Sequence, residues 1–250
     1  MIMNISISAE KILSIAGFPI TNTLLMSWLV AVLLIASAVI FLRRPALVPV
    51  GFQNVFEYAT ESFVGLIQGV LGSRERAERA LPFIATIFLF ILASNWLGLF
   101  PVLGTVGFFE SSRDYPERTL FTPIFRAPAS DLNFTLALAV ISLVTIQALG
   151  IAALGVFRYG GRFFTLRSPV DFFVGILELI SETAKLISFS FRLFGNIFAG
   201  EVLLLIVGFL VPYAVPVPFI ALEIFSGFVQ ALVFSLLTLM FIAIATVEHP

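Results

Sequence analysis

The chain has 250 residues, 60% of them hydrophobic and 12% charged, with a mean hydropathy of +1.09. Such values lie outside the soluble globular range and inside that of polytopic membrane proteins. A net charge of −1 gives no basis for nucleic-acid binding. The absence of cysteine excludes disulfides and iron–sulfur clusters, and a single histidine, His249, excludes a haem held by paired histidines, so no cofactor or metal is expected.

Residues 1 to 22 lack a basic start, a continuous apolar stretch and a small-residue cleavage pattern, so they read as a retained polar tail. Thr23 to Leu42 is the first span, 20 residues without a charge, closed by Arg43, Arg44 and Pro45. Val50 to Leu71 alternates Phe52, Val55, Phe56, Phe63 and Ile67 with Gln53, Glu57, Glu61 and Gln68, which predicts an amphipathic helix along the membrane surface. The charge run Ser73 to Arg79 reads as a solvated loop, and residues 81–100 as the second span. Within that span Asn95 is either an interhelical hydrogen-bonding group or a pathway residue.

Residues 101 to 131, broken by Pro and Gly, predict a loop that could hold a short hairpin; Asp131 is placed to cap the third span, residues 132–157. From Val170 to Leu210 there is no proline and the apolar character persists. As one helix this stretch would be about 61 Å long, twice the ~30 Å hydrocarbon thickness, which implies a tilt of about 60° unless it breaks near Ser188 to Ser190. The last span, residues 219–247, is also over-long, and the proline-rich link Val211 to Pro218 turns the chain between the two. The expected fold class is an all-α polytopic membrane protein forming one membrane domain, residues 1–250. It has about five membrane helices, the last two long, steeply tilted and antiparallel, plus the surface amphipathic helix.

Arg43, Arg44, Arg74, Arg76, Arg79, Arg158, Arg162 and Arg167 fall on one side of the alternating spans; Lys11, Arg113, Arg118 and Arg126 fall on the other. Positive-inside asymmetry therefore puts the N-terminus outside and the C-terminus in the cytoplasm. With no transit-type leader in residues 1 to 22, a bacterial inner membrane is expected.

The segment Leu177 to Leu205 is apolar enough for a bilayer yet holds Glu178, Glu182, Lys185, Arg192 and Glu201. Ionisable groups at that depth cost at least about 2.5 to 3.5 kcal/mol each on insertion scales, so the default reading is a functional site. At helical spacing Glu178, Ser181, Lys185, Ser188, Asn196 and Ala199 all fall within about 40° of Arg192, with Gly195 beside them and Glu201 on the opposite face. Glu182 and Lys185, three apart, are either an ion pair holding the bundle together or part of the site. No acidic residue stands three or four positions from Arg192, so its counter-charge must come from another helix or another chain.

If the last two helices are antiparallel, residues equidistant from the turn lie level with one another. Arg192 with Gln230 and Glu201 with Glu223 have midpoints at about residues 211 and 212, inside the turn. Gln230 is then able to hold the guanidinium, and Glu201 with Glu223 forms a carboxylate pair nearer the outer side, suited to passing a proton. The plain alternative is a carboxyl pair bonded to itself to survive in lipid.

The motif SFRLFGNIFAGE at Ser190 to Glu201, with Gln230 further on, SDLNFTLALA at Ser130 to Ala139 and NWLGLFP at Asn95 to Pro101, resembles subunit a of the membrane sector of bacterial F-type ATP synthases. That resemblance covers most of the chain outside residues 1 to 22 and 101 to 129. It implies the stator half of a rotary proton motor with no ATP-binding active site in this chain. The implied partners are a rotor ring of carboxylate-bearing hairpins (subunit c), the peripheral-stalk subunit b, the soluble catalytic head indirectly, and membrane lipid. It implies that Arg192 is the essential cation facing the rotor carboxylate, and that Asn196, Glu201, Glu223 and Gln230 line the proton path or support Arg192. A second path from the inside would be bordered by Glu178, Ser188 and Asp171. Some members of that family carry His where this chain has Glu223, so histidine titration in the access path is not expected. The alternative is a proton-coupled secondary transporter in which Arg192 binds an anionic substrate, although the inverted repeats common in such transporters are not visible in the sequence.

Overall fold

A computed structural model describes residues 9–15, 17–42, 51–111, 119–161, 169–211 and 214–246. In order these form β1 (Lys11–Ile15), β2 (Phe18–Thr21), α1 (Asn22–Leu42), α2 (Phe52–Leu71), α3 (Arg74–Gly98), α4 (Pro101–Thr105), β3 (Gly107–Ser111), β4 (Thr119–Pro123), α5 (Leu132–Leu154), α6 (Val156–Gly161), α7 (Pro169–Leu210) and α8 (Pro216–Thr246). Among the described residues five helices, α1, α3, α5, α7 and α8, are long and apolar enough to cross a membrane, with α7 and α8 the longest. The protein is a multi-pass, mainly helical membrane protein. Arg43, Arg44, Arg113, Arg118, Arg162 and Arg167, on which much of the orientation reading rests, lie outside the described residues, as do Pro212, Tyr213 and Val247.

Several elements differ from the reading of the sequence, each for a local reason. The charge run is the first two turns of α3 and not a loop. Its charges alternate at helical spacing, giving Arg74–Glu78 at 2.8 Å and Arg79–Glu75 at 2.6 Å, with Arg74 also 2.8 Å from Glu61 of α2. The third span ends at Leu154, short of Phe157, because Gly155 takes a left-handed φ of 82° that α-helix cannot continue through. The tail contains a hairpin, β1 with β2, turning at Gly17 with φ 85°. The α7 helix runs unbroken through Ser188 and Ser190. The α8 helix begins at Pro216, three residues before Phe219, since proline is tolerated in a first turn whose amide donors have no helical partner.

The chain divides into two compact units. The first takes Met1–Pro45, Phe88–Thr135 and Arg192–Leu232. Here β3 pairs with β4, and the Asn22 side chain donates to the Pro123 carbonyl at 3.4 Å, joining the start of α1 to the end of β4. Asp131 caps α5 by accepting from the Asn133 amide at 3.0 Å, and its other oxygen accepts from the Thr23 hydroxyl at 3.1 Å.

The second unit takes Ala46–Ile87, Leu136–Phe191 and Val233–Pro250. Its core gathers Val64, Ile67 and Leu71 from one face of α2 with Ala77, Ala80 and Ile84 of α3, Ile146 of α5, Tyr159 of α6, and Leu239, Ile242 and Ala245 of α8. The three α2 residues recur at helical spacing, while Val55 and Tyr58 are exposed, which is the two-faced pattern predicted for that helix.

The doubly used carboxylate of Asp131 yields a prediction. Asp131→Ala removes the cap and the Thr23 link together and should lower stability by about 1 to 2 kcal/mol, read as an earlier unfolding midpoint in detergent. An unchanged midpoint would show that the cap contributes nothing.

Candidate functional site

The polar groups of α7 fall into two sets, one in each unit. In the first unit the helix is apolar apart from Arg192, Asn196 and Glu201. Leu193 and Ile197 are buried, whereas Arg192, Gly195 and Ala199 are exposed. A permanently charged guanidinium thus stands on the open face of a lipid-compatible helix, and Gly195 and Ala199, the exposed positions of the next two turns, carry only a hydrogen and a methyl. Small residues there let another helix come close.

The flank of α7 adjoining that face is held to α8 by polar contacts. The Asn196 amide donates to the Ser226 hydroxyl at 2.5 Å. One turn on, Gly200 lies under Glu223, so close that a Cβ at Gly200 would collide with the Glu223 carboxylate. Four steps forward on α7 thus go with three back on α8, as antiparallel neighbours require. Continued the other way, the same register brings Arg192 level with residues 229 and 230; Gln230 is half-buried, one turn beyond Ser226.

Glu223 is buried although it is a carboxyl, and the missing side chain at Gly200 makes its room. Glu201 is bound differently. Its two carboxylate oxygens accept from Arg126, Oε1 from Nε at 3.0 Å and Oε2 from Nη2 at 3.3 Å. Arg126 precedes the 3-10 turn Pro128–Ser130, and its side chain is only 10% exposed. The two carboxylates are therefore not equivalent, whereas the sequence presents them as a like pair. Arg126 was legible only as one of the outer positive charges, because a contact between residues 126 and 201 leaves no trace in helical periodicity.

Asn95 and Trp96, adjacent on α3, both reach α8. Asn95 Nδ2 donates to the Gly227 carbonyl at 3.1 Å, and the Trp96 indole donates to the Ile224 carbonyl at 3.0 Å. Of the two roles open to Asn95, the interhelical bond is the one formed. Gly227 also lets α3 approach, since its Cβ would meet that of Asn95 at 3.1 Å.

The second unit holds the remaining groups. Glu182 is buried and accepts from Lys185 Nζ at 2.5 Å and from Gln147 Nε2 at 3.0 Å, while the Tyr159 hydroxyl donates to Gln147 Oε1 at 2.5 Å. The Lys185 ammonium lies 4.4 Å from the centre of the Phe241 ring, a cation–π arrangement. Glu182 and Lys185 are thus an ion pair bracketed by an amide and an aromatic ring, which satisfies both charges. Glu178 is half-buried and Ser188 exposed; Asp171 belongs to α7, but its side chain lies outside the described residues.

Fold and site together define a multi-pass helical membrane protein whose longest helix carries ionisable groups in both units. Such a pattern belongs to proteins that move ions across a bilayer. Residues 24–243 match the family described as ATP synthase A chain, and the chain belongs to that family. It is 33% identical to ATP synthase subunit a of Moorella thermoacetica over 233 residues, 93% of this chain and 94% of that protein. It is 36% identical to ATP synthase subunit a of Gloeobacter violaceus over 228 residues, 91% of this chain and 85% of that protein. The secondary-transporter reading has no support from these relatives.

The space above Gly200 can be tested. In Gly200→Ala the Glu223 carboxylate must move, but as the far end of a flexible side chain it can do so at little cost to folding. The variant should assemble normally and conduct protons about tenfold more slowly per complex, a change of ~1.4 kcal/mol in barrier. Wild-type conduction would show that the position of this carboxylate is immaterial.

Proposed function

We propose that this chain is the proton-translocating stator subunit of the membrane sector of a bacterial ATP synthase, lying in the inner membrane with its N-terminus outside and its C-terminus in the cytoplasm. It works against a rotor ring whose subunits each carry one carboxylate, and is held by a peripheral stalk that leads to the catalytic head. The observation that carries this reading is Arg192 on the exposed side of α7 beside Gly195 and Ala199, within a chain matched to the family over residues 24–243. A rotor helix fits beside the arginine because the exposed positions of the next two turns, Gly195 and Ala199, carry nothing bulkier than a methyl group.

Protons reach the ring from outside by a path through Glu201, Glu223 and Asn196, and neutralise a rotor carboxylate so that it can enter lipid. After nearly a full turn the carboxylate meets a path from the inside bordered by Glu178, Ser188 and Asp171 and loses its proton. Arg192, supported by Gln230, acts between these two events. It stays charged at every working pH, attracts the newly ionised carboxylate, and stops protons passing straight from one path to the other. Each charge moved through the membrane field gains about 2.3 kcal/mol per 100 mV, which drives rotation. A steep tilt of the 42-residue α7 helix would let one helix face several rotor helices.

Arg192→Ala should abolish proton-driven ATP synthesis in membrane vesicles while the complex still assembles, because an exposed side chain contributes little to this chain's own packing. Coupled synthesis by the variant would contradict the reading. Gln at either Glu201 or Glu223 should slow proton conduction, and Gln at both should slow it further; normal flux through the double variant would assign both groups to structure.

A further inference from the structure

Arg126 lies outside every spanning helix and outside the motifs that carry the family resemblance, yet it makes an ion pair to α7 with its own side chain only 10% exposed. Its backbone is held on both sides. Upstream, the Ile124 amide donates to the Val106 carbonyl at 2.9 Å; downstream, Ala127 presses on Gly98 of α3, where a Cβ would fall 2.5 Å from that of Ala127. The Ser130 amide then closes the 3-10 turn on the Ala127 carbonyl at 3.1 Å. The guanidinium is thus delivered from a fixed frame, and it meets both oxygens of Glu201 side-on through Nε and Nη2.

A contact made only to pin a loop does not require burying a charge, since replacing a buried ion pair by apolar groups is often neutral or stabilising. What this geometry achieves is to fix the Glu201 carboxylate in orientation and to compensate its charge. The other carboxylate, Glu223, takes the space above Gly200 and, among the described residues, is joined to no cation. We propose that Arg126 is a positioning residue of the outer proton path. It clasps Glu201 in one orientation, so that the two carboxylates occupy distinct stations and a proton is handed on in one order. The inference rests on the reading that Glu201 borders a proton path.

The test measures proton flux through the intact ATP synthase in vesicles, normalised to assembled complex, for Arg126→Gln, Arg126→Lys, Glu201→Gln and the double variant Arg126→Gln with Glu201→Gln. Arg126→Gln should lower flux per complex at least about tenfold, a barrier increase of ~1.4 kcal/mol. Lysine keeps the charge but not the side-on pair of donors, so Arg126→Lys should lie between wild type and Arg126→Gln. The double variant should conduct no more slowly than Glu201→Gln alone, since a clasp has no effect without its carboxylate. Wild-type flux in Arg126→Gln with impaired flux in Glu201→Gln would overturn the inference and leave the proposed function standing. Wild-type flux in both would overturn the path reading and the inference with it. If Arg126→Gln fails to assemble, the double variant decides. Assembly with the flux of Glu201→Gln supports the clasp; failure to assemble, or a further multiplicative loss, makes Arg126 a purely structural pin and overturns it.

Discussion

A guanidinium cannot shed its charge at the depth of a bilayer, and the first unit is arranged around that constraint. Beyond Arg192 the exposed positions of the next two turns of α7 are Gly195 and Ala199, while the sides that carry Leu193, Ile197 and Gly200 are packed within the unit. Helix and site thus serve one end. The apolar turns make α7 compatible with lipid, and the small residues leave room for a second helix to come within reach of the charge.

Keeping such a face in place demands that α8 and α3 be locked without recourse to the hydrophobic effect, which is weak between helices already in lipid. The first unit uses directional bonds. Asn196 to Ser226, Asn95 to the Gly227 carbonyl and Trp96 to the Ile224 carbonyl fall within four residues of α8, next to the buried Glu223. Glycines recur where backbones or carboxylates crowd: Gly98 under Ala127, Gly200 under Glu223, Gly227 against Asn95. The second unit solves its own charge problem by pairing, with Glu182 satisfied by Lys185 and Gln147 and with Tyr159 completing the chain of bonds.

What the sequence made legible were the features governed by period and length. Five spans, the amphipathic α2 and the level of Glu223 and Gln230 on α8 follow from hydropathy, from the 3.6-residue repeat and from the fact that antiparallel helices rise at the same rate. The opposition of Glu201 to Arg192 followed from the same repeat. Charge density alone makes the run at the start of α3 read as a solvated loop, whereas Arg and Glu four apart are helix-stabilising. Arg126 and the space above Gly200 were invisible for a different reason. Both depend on which residues distant in sequence meet in space, and neither an arginine in a proline-rich connection nor a glycine in a helix announces its partner.

The central claim is that the Arg192 face of α7 receives a helix from another polypeptide. Because the chain has no cysteine of its own, single cysteines introduced along α7 can be paired by oxidation with cysteines on the carboxylate-bearing helix of the rotor subunit, in otherwise intact membranes. Cross-linked products are expected from Gly195→Cys and Ala199→Cys and none from Leu193→Cys and Ile197→Cys. Equal cross-linking from both sets, or from neither, would contradict that claim.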